Sequence, residues 1–182
     1  ITVEVHISQG LTGLTMVGLP ETTVKEARDR VRSAIINSGY EFPAKKITIN
    51  LAPADLPKEG GRYDLPIALA LLAASEQLNP QKLGQYEFVG ELALTGALRG
   101  IPGAISAAIE ADKAGRQIVV AEDDAAQVGL LGGSECYSAS HLQEVCAFLE
   151  GKHALRTAQP DATPVPLICE DLSDVIGQQQ GK

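Results

Sequence analysis

Val3, Val5 and Ile7 alternate with Glu4 and His6, the two-residue period of a strand that rests one face on a core. Beyond Gly10, the segment Leu14–Val17 is a second extended piece, so the chain is expected to open with a β-hairpin. Pro20 and Glu21 then start a helix whose apolar positions Val24, Ala27, Val31, Ala34 and Ile35 share a face, with Gly39 available to end it. Ile47–Leu51 predicts a strand, Ala52–Tyr63 a Pro/Gly-rich loop, and Leu65–Leu78 an apolar helix stopped by Asn79-Pro80. Glu87–Leu94 and Ala97–Arg99 read as a hairpin about Thr95-Gly96, and Gly103–Ala114 as a small-residue helix ended by Gly115. The pattern then turns regular: strand Gln117–Ala121, short helix Asp123–Leu130, strand Glu135–Ser138, and helix Ser140–Glu150 with Ser140 as its cap.

Strands cluster at the start and alternate with helices at the end, which predicts an α/β (α+β) fold with a mixed sheet and packed helices. From Gly151 to Lys182 the periodicity stops, and Pro160, Pro164, Pro166 and the run Gln178-Gln179-Gln180 describe a linker. The expected organisation is therefore one domain over residues 1–150 and an extension over 151–182.

Composition changes this picture in two ways. The net charge of −8 is uneven: residues 110–182 hold 5 basic and 12 acidic residues, so the acidity sits in the C-terminal part. An acidic chain is not built for nonspecific DNA binding over its whole surface, and any nucleic-acid contact needs a local basic patch. Cys136, Cys146 and Cys169 are an odd, widely spaced set, and His6, His141 and His153 lack ligand-like neighbours, so neither a disulfide framework nor a metal site is predicted. Apolar runs fall short of a membrane span and the first residues lack a signal-peptide pattern, which gives a cytoplasmic expectation with no membrane partner.

Four blocks carry a resemblance: Val17-Gly18-Leu19-Pro20-Glu21, the run from Arg28 to Ala34, the run from Asn50 through Pro57-Lys58-Glu59-Gly60-Gly61-Arg62-Tyr63-Asp64 to Pro66, and Gly90-Glu91-Leu92-Ala93-Leu94. In order and spacing they resemble the N-terminal region of the bacterial ComM (YifB) family, magnesium-chelatase-related AAA+ ATPases, over roughly residues 1–150. The resemblance implies a fold similar to the proteolytic domain of Lon. Lon-type peptidases carry a Ser in a Pro-Lys-Asp-Gly-Pro-Ser-Ala-Gly stretch and a Lys on the helix after a Gly-Glu hairpin, where the amine eases deprotonation of the hydroxyl.

Aligned on those motifs, Asp64 stands at the serine position and Ile105 at the lysine position. A carboxylate is a poor nucleophile toward amides and an isoleucine moves no proton, so the dyad is degenerate and no catalytic residue is assigned. Read from its own neighbourhood, Asp64 is an N-cap for the helix that follows, worth about 0.5–2 kcal/mol. The enzymatic alternative, a residual Ser-Lys peptidase, would draw on Ser33, Ser38, Ser75 or Ser106 with a lysine such as Lys58 as base; a third reading is a protein-partner adaptor.

Gly60-Gly61 is a turn and not a phosphate loop, because Gly-x-x-x-x-Gly-Lys-Ser/Thr occurs nowhere in the chain, so no cofactor is assigned to it. ATP and Mg2+ are what the resemblance implies for the full-length motor. The tail Glu170–Gln178 is similar to the segment that introduces AAA+ nucleotide-binding cores, which implies positions near adenine for Ile176 and Gly177 in the full-length protein. The implied partners are its own AAA+ module, sister subunits in a homohexamer, and DNA. Arg28, Arg32, Lys58 and Arg62 are the candidates for DNA or subunit contact, set against a plain solvated helix face laced by pairs such as Glu26 with Arg30.

Overall fold

Ile47, Ile49 and Leu51 are the bulkiest inward-facing set among the first strands, and each is at most 1% exposed. Burial that complete requires a central strand. The structure, a computed structural model that describes residues 1–18, 22–131 and 135–160, provides one. β1 (Thr2–Ser8), β2 (Gly13–Val17) and β3 (Lys46–Ala52) form a sheet in the order β1-β3-β2, with β1 antiparallel and β2 parallel to β3. The expected opening hairpin is therefore not formed: β1 and β2 are separated by β3. Their inward residues Val3, Val5, Ile7, Leu14 and Met16 are only half-buried, so edge positions suit them, while the more apolar β3 takes the middle.

The connection from β2 to the parallel β3 runs through α1 (Thr22–Asn37), as a parallel pair requires a crossover. Ala27, Val31, Ala34 and Ile35 are the buried stripe of that helix, as its period predicts, and Gly39 follows its end at φ +82°. The expected start at Pro20-Glu21 lies outside the described residues. α2 (Asp64–Ala74) packs against α1 and β1 with Leu65, Ile67, Ala68, Leu69, Leu71 and Leu72 at most 1% exposed. It stops short of the expected Leu78, because the Ser75 hydroxyl turns back to the Leu71 carbonyl at 2.9 Å and Glu76 adopts φ +62°.

The remaining strands build a second sheet. β4 (Tyr86–Phe88) precedes a short ribbon of β5 (Glu91–Leu92) and β6 (Leu98–Arg99), so the hairpin about Thr95-Gly96 is confined to that ribbon. α3 (Ala104–Lys113), β7 (Gln117–Ala121), α4 (Ala125–Gly129), β8 (Cys136–Ala139), α5 (Leu142–Leu149) and β9 (Arg156–Thr157) complete the described chain. β4, β7 and β8 run parallel and β9 antiparallel in the order β4-β7-β8-β9. The mixed α/β architecture is as expected, divided between two principal sheets rather than one.

Two local expectations change. The cap of α5 is His141, whose Nδ1 accepts from the Gln143 amide at 3.2 Å; Ser140 instead bonds Glu144 through both its amide and its hydroxyl at 2.9 Å. The folded region also extends past residue 150, since Leu155 and Ala158 are each 8% exposed within the core and β9 pairs with β8. No helix among the described residues is long and apolar enough to cross a membrane.

Candidate functional site

β3 ends at Ala52 and the chain crosses the Pro/Gly-rich loop to a single 3-10 turn at Gly61–Tyr63, which passes directly into α2. Asp64 is thus the first residue of the helix, and its side chain is wholly buried. Its carboxylate does not cap its own helix, as the local sequence suggests; the position before it is Tyr63, with no side-chain cap bond. Instead Arg30 of α1 grips it from two directions, Nε to Oδ2 at 2.7 Å and Nη2 to Oδ1 at 3.1 Å. The Leu92 amide of β5 adds a third bond to Oδ2 at 3.2 Å. The loop and the ribbon are tied further by Leu65 N to the Gly90 carbonyl at 3.1 Å and Gly90 N to the Arg62 carbonyl at 3.3 Å.

Three of the four sequence blocks therefore meet on one carboxylate: the first helix through Arg30, the loop through Asp64, and the Gly-Glu hairpin through Leu92. The fourth block has a steric role at the same end of the sheet. Gly18 sits at φ +96° with its Cα so close to β3 that a Cβ would fall 2.1 Å from the Leu51 carbonyl oxygen. Gly61 is pressed likewise against the Glu91 carboxylate, 2.3 Å from where its Cβ would stand.

Electrostatics at this latch are set by burial. Loss of solvation pushes the Asp64 carboxyl up from its ordinary range, and the Arg30 pair and the Leu92 N–H offset only part of that. The Asp64 hydrogen bond holds the Arg30 guanidinium above its ordinary value, with burial working against it. A bidentate, charge-assisted pair with one wholly buried member is a fastening that is costly to break, about 3–5 kcal/mol when one partner is removed.

The hydrogen-bond partners of Asp64 among the described residues are Arg30 and the Leu92 amide, with no serine hydroxyl or lysine amine in the set. Ile105 lies half-buried on α3, which packs against β7 and α4, and no amine takes its place beside Asp64 among the described residues. Lys58, considered both as a base and as a surface cation, is buried in the loop and donates its Nζ to the Pro53 carbonyl. It is therefore neither on a contact surface nor beside a serine. Ser75 is engaged with the Leu71 and Leu72 carbonyls, Ser38 is buried beside Gly96, Ser33 is half-buried on α1, and Ser106 is exposed on α3. None of them is brought to Lys58.

Each of the other candidate cations has a partner of its own. Arg28 pairs with its neighbour Asp29 at 3.2 Å, Arg32 lies 5.4 Å over the Phe42 ring, and Arg62 reaches the Pro102 carbonyl at 3.3 Å. Arg62 borders a cleft of about 550 Å³ between the start of β1, α2, β4 and α3, lined mainly by apolar side chains such as Val3, Pro66, Leu69 and Phe88. Ile176 and Gly177 lie outside the described residues.

All four blocks lie inside the stretch that a known family matches. A profile for subunit ChlI of Mg-chelatase matches residues 3–124, well over half of the chain. The chain belongs to the ComM/YifB group of this ChlI family. Over its full length it is 75% identical to the uncharacterized protein YifB of Escherichia coli and 50% identical, over 187 aligned residues, to the competence protein ComM of Haemophilus influenzae. An uncharacterized protein of Mycobacterium bovis is 34% identical over 183 residues. The chain spans little more than a third of these ComM/YifB relatives, 36% of YifB and 37% of ComM.

The family implies ATP and Mg2+, and the residues present do not fit them. The chain has no Gly-x-x-x-x-Gly-Lys-Ser/Thr loop, and no three His, Cys, Asp or Glu side chains cluster as metal ligands among the described residues. Arg30 and Leu92 are the site residues that sequence reasoning missed: the helix period pairs Arg30 with Glu26, whose charge does act on it, but gives no sign of Asp64. The signal for Asp64 is the place of Arg30 inside one of the four blocks.

Proposed function

We propose that this chain is a noncatalytic, Lon-protease-like N-terminal domain of a ComM-like AAA+ ATPase that drives DNA branch migration in natural transformation. It guides DNA or organises a tier of the homohexamer, while ATP and Mg2+ bind the AAA+ module that forms the rest of the longer, cytoplasmic protein. One observation carries the noncatalytic part of the reading: the carboxylate at the nucleophile position is wholly buried and bonded to Arg30 and Leu92. A group held that way has no free face toward a substrate. The competence name borne by the Haemophilus influenzae relative supports the DNA-processing part.

The full-length protein tests both parts in one preparation. It is expected to hydrolyse ATP and move a branched DNA junction while leaving casein and fluorogenic peptides uncut, and Asp64→Ala is expected to create no cleavage. Peptide turnover by the wild type, lost in Asp64→Ala, would overturn the noncatalytic assignment; absence of ATP-dependent junction movement would overturn the motor assignment.

A further inference from the structure

At the end of the first sheet opposite the latch, Ser8, Lys46 and Gly13 stand side by side in register. The turn between β1 and β2 projects Leu11, 93% exposed, beyond that edge. The turn is fastened to the chain entering β3: Thr12 Oγ1 donates to the Ala44 carbonyl at 3.4 Å, the Gly13 amide to the Lys45 carbonyl at 3.3 Å, and Ser8 Oγ to the Lys46 carbonyl at 3.5 Å. Gly10, at φ +143°, keeps the turn close to the Lys46 stem, whose Cβ and Cδ lie 3.8 Å from where a Cβ on Gly10 would stand. The protruding leucine is thus held in a fixed relation to two lysines.

Lys45 and Lys46 are both exposed, and neither forms an ion pair with another described residue. Residues 8–13 and 42–46, which build this edge, contain no Asp or Glu, and Glu41 is the nearest carboxylate along the chain. Arg32 lies over Phe42 next to it. In a chain of net charge −8, two adjacent exposed lysines with no ion-pair partner among the described residues are a marked local departure.

We infer that this edge is a DNA-contacting surface, with Lys45 and Lys46 on backbone phosphates and Leu11 against the face of an unstacked base at a junction or single-stranded stretch. The inference rests on the proposed action on DNA and names the surface that performs it. Phosphate contacts supply sequence-independent affinity, and a single apolar wedge between cations matches bases that are partly exposed. One leucine buries too little apolar area to hold a protein at a membrane, where a broad apolar face or a lipid anchor is needed.

The test uses the full-length protein with ATP, a fluorescent four-way junction and a single strand, titrated across a salt series. Lys45→Ala/Lys46→Ala is expected to weaken binding about tenfold at moderate salt and to reduce the salt slope by about two. Leu11→Ser is expected to weaken binding to the junction and the single strand more than to plain duplex, with the slope unchanged because no charge is lost. Lys113→Ala, which removes a cation paired with Glu110, serves as the control and should bind as wild type. If wild type binds DNA and the edge variants bind equally well, the surface is wrong while the proposed function stands. If wild type binds no DNA, the functional reading fails and takes this surface with it. Loss of binding to vesicles of anionic lipid, with DNA binding untouched, would also overturn the assignment.

Discussion

The two ends of β3 treat charge in opposite ways. At its C-terminal end the chain enters a loop in which Lys58 is turned inward to the Pro53 carbonyl and Asp64 is locked between Arg30 and the Leu92 amide. At its N-terminal end Lys45 and Lys46 stand in solvent, and neither pairs with a carboxylate among the described residues. Both are short stretches with Pro, Ala and Lys, although the loop also carries Asp55, Glu59 and Asp64. What separates them is whether the third dimension delivers a charged partner: α1 and β5 are packed over the loop, with Arg30 of α1 supplying one, and no described residue forms an ion pair with either lysine. On the proposed reading, the end that resembles an active site holds the fold together, and the end with no motif makes contact.

Three substitutions or titrations probe this contrast, beginning with the largest effect. Arg30→Ala strands a buried carboxylate on a single backbone donor, so urea unfolding of the 182-residue chain should show a loss of about 3–5 kcal/mol. A loss below about 0.5 kcal/mol, the scale of ordinary surface changes, would mean the latch is decorative.

Acidification gives a smaller and signed effect. Burial raises the folded-state pKa of Asp64 above its unfolded value, so the stability tied to its protonation is fully present below the unfolded pKa and is lost as pH rises through the folded one. Relative to Asp64→Asn, which does not titrate, wild type should therefore gain stability as pH falls from neutral toward about 4. Urea midpoints for the pair across that range check the sign, and a relative loss on acidification would show that the Arg30 pair outweighs burial. The smallest effect belongs to the open end: Leu11→Ser and Lys45→Ala should each change stability by less than about 0.5 kcal/mol in the same unfolding experiment.

Much of the fold was legible because period and punctuation are local. The buried positions of α1, the strand over Gln117–Ala121 and the turn at Thr95-Gly96 all stand where their patterns place them. Failures came where a distant residue decided the outcome. β1 and β2 are joined by a short turn, which suggests a hairpin, yet β3, nearly thirty residues further along the chain, inserts between them because its side chains need the most burial. An aspartate at the start of a helix suggests a cap, yet Arg30, 34 residues earlier, claims the carboxylate. At α5 the competition is between neighbours: Glu144 draws Ser140 away and leaves the cap to His141. The site itself was legible as a place, through the four blocks, but not as a chemistry, because the alignment that put Asp64 at a nucleophile position holds no information on what faces it.

The most direct measurement of the central claim is the double-mutant cycle built from Arg30→Ala, Asp64→Ala and the two together, read by urea unfolding. If Asp64 serves as a latch, removing the second partner after the first costs little, and the coupling energy falls in the upper half of the usual range of about 0.5–3 kcal/mol. Additive losses, with a coupling energy near zero, would contradict it and return Asp64 to the pool of residues free to do chemistry.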